Sequence, residues 1–118
     1  MAIQIEEDKV FVKDENIEWE QLEPKVKRKI MAYDKSLMMV KVAFETGGVG
    51  ALHSHYHTQI ALVESGVFEI EVEGVKQILK AGDVYFIPPN AIHGAVCLEA
   101  GVLIDTFSPM REDFIQAK

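Results

Sequence analysis

Three of the four histidines in this chain fall within five residues, at His53, His55 and His57, and Gln59 continues the same alternation. On an extended strand His53 and His55 point to one face, about 7 Å apart along the chain. That is a workable geometry for two imidazoles on one ion. His93 follows the turn residues Pro88-Pro89-Asn90, where a ligand from a neighbouring strand would lie. A lone histidine is more often a core or surface residue. A His-x-His opening a strand, with a third His beyond a second turn, points to a divalent metal. Imidazole suits Zn, Ni, Cu, Fe and Mn, so ligand type alone does not choose the ion. If a turn at Tyr56–Thr58 joins two strands, Gln59 resets the geometry. His57 then points elsewhere, as a group behind the ligands or at the rim of a substrate site.

A second set lies near the C-terminal end. In Gly101–Phe107 the alternation places Leu103, Asp105 and Phe107 on one face and Val102, Ile104 and Thr106 on the other. A carboxylate inside an apolar strand is unusual unless paired or functional. Asp105 is therefore either structural, as half of a buried ion pair or a hydrogen-bonded turn acceptor, or a general acid/base facing the barrel interior. Arg111 follows Pro109-Met110 and is either a surface arginine pairing with Glu112 or Asp113, or a guanidinium folded over the barrel mouth. In the second position its fork would grip a carboxylate.

The elements that position these residues are strands. Period-2 alternation is common and helical periodicity almost absent. Residues 68–72 alternate Phe-Glu-Ile-Glu-Val, and Glu73-Gly74 suits a tight turn into 75–79, so this stretch reads as a hairpin. Further strands are expected over 28–33, 36–45, 51–56, 59–64, 83–87, 92–98 and 101–107. Residues 109–115 are expected to make one helical turn. Residues 1–20 read as an edge strand, open to exchange with a partner subunit. Many short, regularly punctuated strands indicate an all-β sandwich or small barrel of a single domain over 1–118.

Composition narrows the function. Apolar residues make up 48% of the 118, enough for a core, and apolar stretches are strand-sized. The N-terminus lacks a signal-peptide layout, and the lone Cys97 has no partner for an intramolecular disulfide. A cytoplasmic location is expected. The formal net charge of −7 argues against a nucleic-acid partner and requires a local positive site for any anionic substrate. A homodimer is expected, because small barrels have edges to cover.

The spacings resemble those of the cupin superfamily. Gly47, five residues, His53-Ser54-His55, three residues, Gln59, six residues and Gly66 resembles the first cupin motif. Gly82, five residues, Pro88-Pro89-Asn90, two residues, His93, three residues and Cys97 resembles the second. Gln59 stands where the motif has Glu, Asn90 where it has Gly, and Cys97 where it has Asn. Asn90 tolerates a left-handed turn, and Cys97 reads as a small packing residue. The resemblance implies a double-stranded β-helix, or jelly roll, with one divalent ion on His53, His55, Gln59 and His93. An amide in place of a carboxylate leaves the full 2+ charge available and favours Lewis-acid chemistry over oxygen activation on iron. The alternative is that Gln59 marks a degraded site.

From about Trp19 onward the chain is similar to the KdgF-type cupins of pectin degradation. The similarity is carried by Gly50–Gln59, Lys76–Asp83 and Asp105–Phe114. In that family the residue at the Gln59 position is itself a metal ligand, and the Asp-x-Phe-x-x-x-Arg set falls on Asp105, Phe107 and Arg111. The resemblance implies an enzyme that linearises 4,5-unsaturated uronates to 5-keto-4-deoxyuronates. From the ligand set the ion is expected to be Ni, Zn or Mn, with Fe as a further candidate. Asp105 would move the proton, Arg111 would hold the substrate carboxylate and Phe107 would wall the ring. Two other classes are a metal-dependent isomerase or dioxygenase on another small molecule, and a non-catalytic sugar-binding module.

Overall fold

The computed structural model describes residues 2–116 and forms a two-sheet β-barrel. Ten strands build it: β1 (Glu20–Glu23), β2 (Val26–Tyr33), β3 (Met38–Phe44), β4 (Val49–His53), β5 (Thr58–Val63), β6 (Val67–Val72), β7 (Val75–Lys80), β8 (Val84–Ile87), β9 (His93–Glu99) and β10 (Gly101–Ser108). A short helix α1 (Glu7–Val10) and a 3₁₀ turn (Asp14–Asn16) precede them, and α2 (Glu112–Gln116) follows. One sheet runs β1-β2-β3-β10-β5-β8 and the other β4-β9-β6-β7, with antiparallel pairing throughout. Among the described residues no helix is long and apolar enough to cross a membrane.

The hairpin expected at 68–79 is β6–β7, closed by Val72↔Val75 with Glu73 at φ 48° and Gly74 at φ 80°. Two consecutive left-handed residues give the turn whose twist matches the strands it joins. The C-terminal helical turn is present as α2.

Two expectations need correction. Residues 2–19 form no strand; β1, one edge of the six-stranded sheet, begins at Glu20. The preceding segment is held to the barrel by polar contacts. The Lys29 ammonium donates to the Asp14 carbonyl at 3.0 Å and to its carboxylate at 3.2 Å, and Lys41 reaches the same carboxylate at 3.0 Å. The strand expected over 51–56 stops at His53. The next strand in the chain, β5, belongs to the other sheet, so the chain must leave the ladder after His53 and cross over. The crossing is tied to the Pro-Pro-Asn turn: Asn90, at φ 69°, donates its N–H to the His55 carbonyl at 2.7 Å.

Inward-facing residues fill the barrel in two groups. Val26, Phe44, Val63, Phe68, Ile70, Ala95, Cys97 and Leu103 close one end. Met38, Val40 and Phe107 lie toward the other, covered by Met110, Phe114 and Ile115 of the C-terminal segment. Cys97 is thus a packing residue, as its strand parity suggests. Between the two groups, polar side chains point inward.

Candidate metal centre

Both sheets contribute to this polar gap. His53 and His93 face each other across the β4–β9 ladder, with ring centroids 4.3 Å apart. Gly94 lets the two strands approach there. A Cβ at this position would lie 2.8 Å from the Gly50 carbonyl oxygen and 3.2 Å from the Leu52 nitrogen. His55 comes from the crossover, its ring 5.6 Å from His53 and 4.8 Å from His93. His53 and His55 therefore converge because the strand ends between them, and not through shared strand parity. On the opposite wall Gln59 of β5 stands in register with Phe107 of β10, and Asp105 pairs with Ala61. Gln59, Phe107 and Asp105 share the inner face.

Backbone carbonyls orient the three rings. His53 Nδ1 lies 2.8 Å from the Ala51 oxygen, His93 Nδ1 2.9 Å from the Ala91 oxygen, and His55 Nδ1 3.1 Å from the His57 oxygen. A carbonyl only accepts, so each Nδ1 carries the proton and each Nε2 presents a lone pair. Ligand atoms of all three rings lie within 4.8 Å of one another. Nε2 of His93 is buried without a hydrogen-bond partner. Burial also pulls the His93 pKa down to about 4, which keeps the ring neutral. Gln59 Oε1 lies 3.0 Å from His55 Nε2. With Nδ1 of His55 already donating, this contact sets two lone pairs against each other. A cation accepting both removes that repulsion. Three imidazoles and an amide oxygen therefore fit a divalent metal ion.

Asp105 sits beside this cluster with its Oδ1 buried and unpartnered. Burial raises its pKa to about 7, against the opposing effects of a Gln59 hydrogen bond and the Arg111 charge. Among the described residues it makes no ion pair, so the buried-pair alternative for this residue loses its support. A cleft of about 110 Å³ is lined by His53, Gln59, His93, Asp105, Phe107 and Arg111 together. Phe107 is 3% exposed and its ring meets His55 edge-on at 5.7 Å.

Arg111 combines features of both sequence readings. It forks onto Asp113, Nε to Oδ1 at 3.1 Å and Nη2 to Oδ2 at 2.9 Å. Yet its side chain is only 13% exposed, and its guanidinium carbon lies 5.2 Å from the Phe107 centroid. One edge of the fork is taken by Asp113, and Arg111 also lines the cleft. His57 stands apart from the cleft, buried, with Nε2 3.4 Å from Glu112 Oε2. Two residues of the neighbourhood escape the sequence reading. Tyr85 lines the cleft, and the signal for it is its alternation with inward Ile87 on β8. Tyr56 donates to Glu112 at 2.9 Å, a contact between positions 56 apart that no local pattern announces.

Comparison with known proteins gives the family of the chain. The family described as "Cupin domain" matches residues 40–107. The "Pectin degradation protein KdgF" of Dickeya dadantii (strain 3937) is 51% identical over 107 residues, covering 89% of this chain and 96% of the relative. The solved structure of KdgF from Halomonas sp. superposes with a TM-score of 0.86 at 43% identity, covering 88% of this chain and 96% of that one. An RmlC-like cupin from Shewanella frigidimarina NCIMB 400 has the same TM-score at 45% identity, over 88% and 94%.

Proposed function

The chain belongs to the cupin domain family, and on that premise we propose that it is a metal-dependent enzyme of pectin or alginate breakdown. It converts 4,5-unsaturated uronates to linear 5-keto-4-deoxyuronates. The observation that carries this reading is the cleft lined by His53, Gln59, His93, Asp105, Phe107 and Arg111, with His55 placing a ligand atom within 4.8 Å of those of His53 and His93. The similarity to the KdgF proteins of Dickeya dadantii and Halomonas supports it.

His53, His55, Gln59 and His93 hold the ion, which is Ni, Zn or Mn. When bound it supplies a Lewis acid next to developing oxygen charge. Arg111 binds the substrate carboxylate, and the Phe107 face packs against the ring. Asp105, poised near neutrality by burial, takes the proton of the C1 hydroxyl. The bond from C1 to the ring oxygen breaks, its electron pair goes to that oxygen, and C1 becomes an aldehyde. The resulting C5 enolate collects a proton at C4, which Asp105 returns, and the product is the 5-ketone. Substrate and product are isomers, so no redox partner is required. That value belongs to the ion-free protein; a neighbouring cation would lower it and favour the carboxylate form that accepts a proton.

The enzyme is cytoplasmic and works as a homodimer. The outer face of the six-stranded sheet supports the dimer: Met39, Thr106, Ile60 and Phe86 align in register across four strands, with Val84 beside them. All but Thr106 are exposed large apolar residues. Sedimentation at micromolar concentration should return twice the 13.2 kDa chain mass. The reaction is tested by ¹H NMR of the unsaturated uronate incubated with enzyme. Loss of the C4 vinyl proton with appearance of a C4 methylene supports linearisation. Oxygen consumption, or binding without turnover, would favour the oxygenase or the sugar-binding class.

A further inference from the structure

His57, Glu112 and Asp113 form a second group of ligand-type side chains, with atoms within 4.8 Å of one another. Each is already engaged. His57 Nε2 lies 3.4 Å from Glu112 Oε2, the Tyr56 hydroxyl donates to Glu112 Oε1 at 2.9 Å, and Arg111 forks onto both Asp113 oxygens. A cation there would have to displace a phenol and a guanidinium. The group is a fastening between two segments, and the identity of those segments is what gives it a role.

One segment is the crossover between β4 and β5, which carries His55. The other is the stretch after β10, which carries Arg111. Tyr56 stacks on His57 with centroids 4.0 Å apart, so both present their polar ends to one carboxylate. The His57 carbonyl in turn receives the His55 Nδ1 proton at 3.1 Å, which aims His55 Nε2 at the other ligands. Glu112 is thus linked to His55 through His57, and to Arg111 through the peptide bond between them. Arg111 also lies 4.3 Å above Phe114, which meets Phe107 edge-on at 5.8 Å.

We propose that Glu112 is a positioning residue for the uronate reaction: it locks the ligand-bearing crossover to the Arg111 segment, so that ion loading and ordering of the carboxylate-binding arm are one coupled event. This rests on the metal and substrate assignment above and adds to it a dependence of one site on the other. Coupling of this kind is reciprocal. Whatever the ion contributes to the order of the arm, the arm contributes to the affinity for the ion.

The test is hydrogen exchange of the full chain, ion-free and with saturating Zn²⁺, on the wild type, Glu112→Ala, Glu112→Gln and Tyr56→Phe. Ion affinity is measured in parallel by calorimetry. Two reporter amides sit in the arm: Met110 N–H on the Lys35 carbonyl at 3.2 Å, and Phe114 N–H on the Arg111 carbonyl at 3.0 Å. In the wild type Zn²⁺ should slow exchange over residues 110–116. Glu112→Ala should abolish that response and weaken Zn²⁺ binding by about tenfold, the low end for groups that orient a ligand through a hydrogen bond. Glu112→Gln keeps an acceptor for Tyr56 and should recover most of both effects, and Tyr56→Phe should lose part of them. In turnover, Glu112→Ala should raise KM for the uronate more than it lowers kcat. Zn²⁺ binding without any protection of residues 110–116, or protection that survives in Glu112→Ala, overturns the lock while leaving the metal assignment standing. A wild-type protein that binds no ion overturns both.

Discussion

At the scale of single residues, the site separates charge from proton movement. Asp105 is costly where it stands: its Oδ1 is buried, unpartnered and better accommodated protonated. Asp105→Asn keeps the shape and stays neutral. We expect kcat to fall by about 10²–10⁴-fold while the melting temperature is held or raised, because no ion pair is broken. A variant that melts early yet turns over normally would make Asp105 structural. Gln59→Glu tests the charge on the ion. The added carboxylate should keep the metal but lower its Lewis acidity, so that turnover drops more than metal content. Equal turnover with metal retained would contradict this. Parity on β5 and β10 makes Gln59, Asp105 and Phe107 readable from sequence as inward residues. The lone-pair conflict between Gln59 and His55 is not readable, because it depends on which ring nitrogen of His55 keeps its proton to donate to the His57 carbonyl.

At the scale of elements, the ligands owe their convergence to where strands stop and how closely they approach. The β6–β7 hairpin is legible because its alternation and Glu-Gly turn are local. The end of β4 is not, because it is set by β5 joining the other sheet. Gly94 is the close-approach point, and two alanine substitutions separate its role from ordinary turn strain. Gly94→Ala would drive a Cβ into the backbone of β4. It should cost about 1–3 kcal/mol of stability and weaken metal binding, since β4 carries His53. Gly74→Ala meets nothing within 4 Å and is strained only by its φ of 80°. It should cost about 1 kcal/mol with metal binding unchanged. Equal metal affinity in both variants would refute the close-approach account.

The N-terminal segment offers a second element-level test. Hydrogen bonds from Lys41 and Lys29 hold the Asp14 pKa below the usual carboxylate value. The clasp therefore contributes its full stability above about pH 3.9 and loses it as pH falls through the lowered folded value. Trp19, the one tryptophan, lies 4.7 Å below the Lys29 ammonium, so its fluorescence should report the release. Asp14→Asn should remove that acid transition; an identical transition in the variant would assign it to another group.

At the scale of the whole molecule, a chain of net charge −7 is assigned an anionic substrate. Its overall field opposes approach, so affinity must come from within the cleft, from Arg111 and the ion. The central claim is that this cleft linearises unsaturated uronates and needs its ion to do so. It is met most directly by following the absorbance of the conjugated 4,5-unsaturated acid. One sample holds the protein as purified, a second the protein stripped by chelator, and a third the stripped protein given back Ni²⁺ or Zn²⁺. The account predicts rapid loss of absorbance in the first, a rate near the spontaneous background in the second, and recovery in the third. Full activity in a protein shown by elemental analysis to be metal-free would contradict it.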